Sequence, residues 1–186
     1  MTRVISGVAG GRRLAAPPGR TTRPTSDRAR EGLFATVGSL LGSLDGLRVL
    51  DLYAGSGAVG LEAASRGAAH VLLVESVPSA VRAIRRNARE IALPAVEVST
   101  ERVERLLARQ PEETYDLVFA DPPYALADSA VEDMLVALLA NGWLAPDALV
   151  AVERARRGGA LSWPEGYVPD RARTYGDATL WYGHRA

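Results

Sequence analysis

"LRVLDLYAGSGAVG", residues 47–60, decides the fold. An apolar run carries Asp51 near its end, gives way to Gly55, Gly57 and Gly60, and helix-forming residues follow at once. The pattern is a buried strand, a turn and the opening of a helix. The glycines are spaced for a tight turn, a close backbone approach to a ligand and close packing of the helix on the strand. Outward from this stretch the same alternation repeats. Strands are expected at "HVLLVE" (70–75), "AVEVS" (95–99), "YDLVFAD" (115–121) and "ALVAVER" (148–154). The segments "VPSAVRAIRRNAREIAL", "ERVERLLARQ" and "LADSAVEDMLVALLANGWL" between them read as helices. The end, "YVPDRARTYGDATLWYGHR", reads as a hairpin turning at Gly176-Asp177. Strands alternating with helices of this length imply an α/β, Rossmann-like, mostly parallel sheet covered on both faces.

Ahead of the first strand, Ser26 and Asp27 cap an expected helix "DRAREGLFATVGSLLGSL", with Leu33, Phe34, Val37, Leu40 and Leu41 at helical spacing. Residues 1–25 are rich in Gly, Pro, Arg and Thr and read as a basic hairpin and extended arm, too polar to supply core. Residues 26–186 then form the catalytic domain. Net charge is zero, yet residues 1–30 hold seven arginines against Asp27 alone, so +6 there balances −6 in the rest. A basic arm on an acidic body suggests a polyanionic partner, with Arg12, Arg13, Arg23, Arg28 and Arg30 as phosphate contacts.

Absences narrow the chemistry. The chain has no cysteine, which excludes a disulfide framework, a thiolate zinc site and a cysteine nucleophile. Two isolated histidines, His70 and His184, argue against a metal site. All 22 basic residues are arginine, so a P-loop lysine and Schiff-base chemistry are excluded as well. No run approaches a membrane span and no signal-peptide core opens the chain, so a cytoplasmic protein, acting as a monomer, is expected.

Glu75 ends the second strand, where a carboxylate can accept hydrogen bonds from two ribose hydroxyls. Nicotinamide and S-adenosylmethionine binding both use this layout. Two features favour the second. Asp51, ahead of the glycines, suits a cationic amino-acid moiety and not a pyrophosphate. The other is "VFADPPY", residues 118–124, at the tip of the fourth strand. Two prolines cannot donate to a ladder, so the strand stops there. Methylating the exocyclic amine of a nucleobase requires stabilising the positive charge its nitrogen acquires, and two acceptors aimed at its N–H groups do so. Asp121 offers a side-chain oxygen, Pro122 a carbonyl, and Tyr124 a face on which an extruded base can stack.

The segments "RPTSDRAREGLFATV", "VLDLYAGSGAVGLEAASRGA" and "FADPPY", in that order, together with "GGRRLAAP", resemble the bacterial 16S rRNA guanine-N2 methyltransferase family RsmD. The resemblance covers nearly the whole chain. It implies a class I methyltransferase fold with an antiparallel final strand and S-adenosylmethionine as donor. It further implies one guanine of 16S rRNA as acceptor, in the small ribosomal subunit or an assembly intermediate of it. Carried over by motif, Asp51, Tyr53, Gly55, Gly57 and Glu75 bind cofactor, and Asp121, Pro122 and Tyr124 form the base pocket. Such enzymes usually place Asp or Asn after the third strand to meet the adenine amine. Here "STERVERL" stands there, with Thr100 or Glu101 as the substitute. A DNA adenine or cytosine amino-methyltransferase, a nicotinamide oxidoreductase and a non-catalytic RNA-binding module are the alternatives that the residues leave open.

Overall fold

A computed structural model of the chain describes residues 2–18 and 26–186. Strands β1 (Thr2–Arg3) and β2 (Arg13–Leu14) pair antiparallel as a small hairpin. Helix α1 (Asp27–Leu41) follows, with the Ser26 hydroxyl accepting from the Ala29 amide at 3.1 Å. Then come β3 (Arg48–Leu52), α2 (Ala58–Ser65), β4 (His70–Val74), α3 (Pro78–Ile91), β5 (Val96–Ser99) and α4 (Val103–Leu107). The chain continues through β6 (Tyr115–Ala120), α5 (Asp128–Ala140), β7 (Leu144–Ala155), β8 (Tyr167–Tyr175) and β9 (Ala178–Arg185). Each expected strand and helix is present, and β8 and β9 turn at Gly176-Asp177.

Strands β3 to β9 form one seven-stranded sheet in the order β5-β4-β3-β6-β7-β9-β8. All pairs are parallel except those made by β9, the last strand, which runs against both of its neighbours. This is the class I methyltransferase fold. The order reverses between β3 and β6, and ligands of open α/β sheets bind at the carboxyl ends of strands at such a reversal.

Side chains of alternate strand residues fill two separate layers. Val49, Val71, Leu73, Leu117 and Phe119 pack beneath α1, α2 and α3. Leu50, Leu52, Leu72, Val118 and Val150 pack beneath α4 and α5. The hairpin also joins the first layer, against expectation. Val4, Ala9 and Leu14 are buried in that cluster. Its backbone is held as firmly as its side chains. The Ile5 and Ser6 amides donate to the Glu62 carboxylate at 2.7 and 2.9 Å, the Ala9 amide to Ser65 Oγ at 2.9 Å, and the Ala15 amide to Asn87 Oδ1 at 2.7 Å. Three apolar side chains among glycines and arginines suffice, because polar groups of α2 and α3 take up the hairpin amides.

Arg30 requires the sharpest correction. It is fully buried, donates to the Arg3 carbonyl and to Asp27, and stands 3.7 Å from the Glu62 carboxylate. It cannot reach a phosphate. Its position was legible, since residue 30 shares a helix face with Leu33, Phe34 and Val37, all buried. Arg12 is exposed but docked, donating to the carbonyls of Glu90 and Ile91 at the end of α3 at 3.0 and 3.1 Å. Arg13 and Arg28 face solvent. Arg23 lies outside the described residues.

Glu62 therefore fastens the hairpin to the body. Glu62→Ala removes the buried carboxylate beside the Arg30 guanidinium and strands the Ile5 and Ser6 amides, which should cost about 3–5 kcal/mol. Urea melts will show the loss, and trypsin will cut faster after Arg12 and Arg13. An unchanged midpoint with unchanged cleavage would assign the attachment to apolar packing alone.

Candidate active site

The carboxyl ends of β3, β4, β5 and β6 hold the predicted cofactor and base-pocket residues. After β3 the chain turns with Tyr53 at φ 60°, Gly55 at 60° and Gly57 at 79°, conformations that favour glycine at the last two. Gly60 serves packing. A Cβ there would lie 2.1 Å from a Leu73 methyl, so α2 sits closer to β4 than any side chain allows. Two carboxylates fix this loop. Asp51 is buried and accepts from the Gly60 amide at 2.9 Å, anchoring the start of α2. Glu75 accepts three amides, Gly55 on one oxygen and Ser76 and Val77 on the other, each at 2.9 Å.

The second loop stands beside the first because β3 and β6 pair in parallel, Leu52 opposite Ala120. The Asp121 amide reaches the Leu52 carbonyl at 3.3 Å. Pro122 is buried, and Tyr124 is 50% exposed, which leaves its ring open to a ligand. Burial, reinforced by Glu153, Asp121 and Asp177, pushes the Tyr124 phenol up to about 12. It keeps its proton and stands 3.4 Å from Glu153.

Consecutive residues of β7 grip this loop, and sequence reasoning missed both. Glu153 meets Tyr124 on one side. Arg154, its side chain 10% exposed, donates to the Pro123 carbonyl at 3.3 Å, the Leu126 carbonyl at 2.8 Å and the Asp128 carboxylate at 2.9 Å. The available signal was a Glu-Arg pair closing an otherwise apolar strand, "ALVAVER". Charges at the end of a buried strand need partners.

Between the loops lies a cavity of about 750 Å³, within the usual range for ligand pockets. Val74, Val77, Ala80, Val103 and Leu126 supply apolar wall. Its charge is one-sided, with Glu75, Glu101, Glu104, Asp121 and Asp177 against Arg102. Tyr53, Pro122 and Tyr124 also line it. Thr100 does not, whereas Glu101 does, held by the Ser99 hydroxyl at 2.8 Å and by Arg109. Asp51, Gly55 and Gly57 are buried and are not among the residues that line it. The lining suits a ligand with a cationic centre, hydroxyl and amine donors and an apolar ring, as S-adenosylmethionine has. It does not suit a pyrophosphate.

Residues 2–184 match the family described as Conserved hypothetical protein 95. Ribosomal RNA small subunit methyltransferase D of Escherichia coli K12 is 34% identical over 174 residues, 94% of this chain and 85% of that one. The protein of the same name from Haemophilus influenzae is 31% identical over 182 residues, 94% of this chain and 89% of that one. The solved structure of yhhF from Escherichia coli is 31% identical, with a TM-score of 0.86 over 98% of this chain and 97% of that one.

Burial pushes the Asp51 carboxyl from 3.8 up to about 7, against the opposing Gly60 hydrogen bond and with the Glu75 charge adding to the rise. The folded chain thus retains a proton that the unfolded chain releases. Asp51 should therefore make stability fall as pH rises from 3.8 to about 7. Asp51→Asn keeps an acceptor for the Gly60 amide and should remove that slope. Denaturation midpoints measured across this window will compare the two, and identical profiles would mean Asp51 is ionised throughout.

Proposed function

The chain belongs to the ribosomal RNA small subunit methyltransferase D family, and on that footing we propose that it methylates the exocyclic N2 amine of one guanine in 16S rRNA, with S-adenosylmethionine as donor. Methylation of ribosomal RNA is the activity for which its relatives are named. The observation that carries the finer reading is the meeting of the Asp121-Pro122-Pro123-Tyr124 loop and the glycine loop at one carboxylate-lined cavity.

Bound there, S-adenosylmethionine supplies a methyl group already activated on a sulfonium, so the protein's task is placement. Glu75 has committed three acceptor positions to amides, and a carboxylate has about four. It can still receive a ribose hydroxyl while keeping the loop closed. Glu101, which lines the cavity where Thr100 does not, receives the adenine amine on this reading. Asp51 holds the loop from behind. The negative lining offsets the sulfonium charge.

The Asp121 carboxylate and the Pro122 carbonyl accept the two N–H groups of the target amine. They draw it towards pyramidal geometry and stabilise the charge it gains as the new N–C bond forms while the methyl–sulfur bond breaks, and the surplus proton then leaves the nitrogen by way of the Asp121 carboxylate. Tyr124 presents its open ring for the extruded base to stack on. Arg154 and Glu153 keep these groups in place before the base arrives, so little reorganisation is needed at reaction.

Labelled methyl transfer to naked 16S rRNA, assembly particles and whole small subunits, followed by nucleoside mass mapping, tests the proposal. N2-methylguanosine is expected. Methyl on an adenine or cytosine of duplex DNA, or on no nucleic acid, would overturn it. Asp121→Ala should lower turnover roughly a hundredfold or more while S-adenosylmethionine affinity holds, as when one preorganised hydrogen-bond partner of a transition state is removed. Near-normal turnover by that variant would move the acceptor elsewhere.

A further inference from the structure

Helix α3 has an apolar face on the sheet and an outward face built of arginine. Val81, Ile84, Asn87 and Ile91 are buried, whereas Arg82, Arg85, Arg86 and Arg89 are exposed. Spacings of three, four and seven put these four on one side of the helix. Arg86 pairs with Glu90 at 2.9 Å, while Arg82, Arg85 and Arg89 make no ion pair among the described residues. Like charges at these spacings disfavour a helix by a few tenths of a kcal/mol each. A solvated face of a chain with zero net charge has no need of such a row, and a polyanion lying on it removes the repulsion.

Position gives the row its meaning. The helix starts at the cavity rim, where Val77 and Ala80 form wall. Its far end meets the hairpin, since Arg12 donates to the Glu90 and Ile91 carbonyls and Asn87 bonds Ala15 through both its amide groups. Exposed Arg12 and Arg13 therefore continue the surface that Arg89 ends. With 14 residues, α3 spans about 20 Å, enough for several successive phosphates. On the other side of the sheet α5 has the opposite sign, carrying Asp128, Glu132 and Asp133 and no base.

We infer that the outward face of α3, continued by Arg12 and Arg13, is the surface on which the ribosomal RNA backbone lies while its target base enters the cavity. This rests on the reading of the chain as an rRNA methyltransferase. It moves the main phosphate contacts from a projecting arm to a rigid helix, with the hairpin as its extension. The site is sequence-blind, since arginines on a helix face read charge and spacing. Specificity stays with the cavity.

The triple variant Arg82→Gln, Arg85→Gln, Arg89→Gln changes only exposed side chains and should fold normally. Arg173→Gln, exposed on β8 at the opposite edge of the sheet, is the control. Filter binding of a 16S rRNA fragment across a salt series reads the result. The slope of log affinity against log salt should flatten by about 0.7 for each phosphate no longer neutralised, hence by about 2 in the triple variant. Its KM for rRNA should rise at least tenfold, with kcat at saturating RNA and S-adenosylmethionine affinity retained, and the control should match wild type. A triple variant with the wild-type salt slope and KM overturns the α3 surface and leaves the methyltransferase reading standing. Wild-type protein that shows no salt-dependent binding to the fragment overturns both.

Discussion

Parallel pairing of β3 with β6 is the constraint on which the site depends. These strands are far apart in the chain, with two strands and their helices between them, yet Leu52 stands opposite Ala120. Both strands point their carboxyl ends the same way, so the glycine loop and the Asp121 loop emerge side by side. The Leu52 carbonyl to Asp121 amide hydrogen bond is the last rung of that ladder and the first tie of the site. A slip of one residue would turn every side chain of one strand to the opposite layer. Both faces of these strands are buried and filled with different partners, so the register that builds the core also aligns the chemistry.

Charge is sorted as strictly as hydrophobicity. Inside the cavity acids prevail, and their repulsion is contained by giving each a backbone or guanidinium partner where the structure packs tightly. Glu75 takes three amides and Glu101 takes Arg109. A cationic ligand entering there completes the balance. Outside, α3 collects the bases. A chain with no net charge can thus hold a cationic small molecule in one place and a polyanion in another, with Coulomb forces screened over about 10 Å keeping the two fields distinct.

Rigidity near the reacting atoms comes from β7. Glu153 and Arg154 are neighbours in sequence, so their side chains leave the strand on opposite faces. One reaches the phenol of Tyr124 and the other the carbonyls of Pro123 and Leu126. Proline alone fixes φ, but it does not fix where a loop lies relative to the sheet. The guanidinium does that, because its planar donors meet several acceptors at once.

The succession of strands and helices, the glycine loop and the Asp-Pro-Pro-Tyr stop were all legible in the sequence. Each is written in local terms, as periodicity, as glycine where side chains are excluded and as proline where a ladder must end. Glu75 and Glu101 could be placed at strand ends for the same reason. The helix face that buries Arg30 was legible too, but its partners and those of Arg154 were not, because a charge in a one-dimensional string carries no record of its partner. Only folding reveals that Arg30 meets Glu62 and the hairpin, so that an apparent phosphate contact is an internal tie. Composition made residues 1–25 look too polar for a core, yet Val4, Ala9 and Leu14 are buried because α2 and α3 satisfy the hairpin amides. The sequence by itself determined what could form locally. The tertiary structure decided which charges face water and which face each other, because that choice depends on groups brought together from distant parts of the chain.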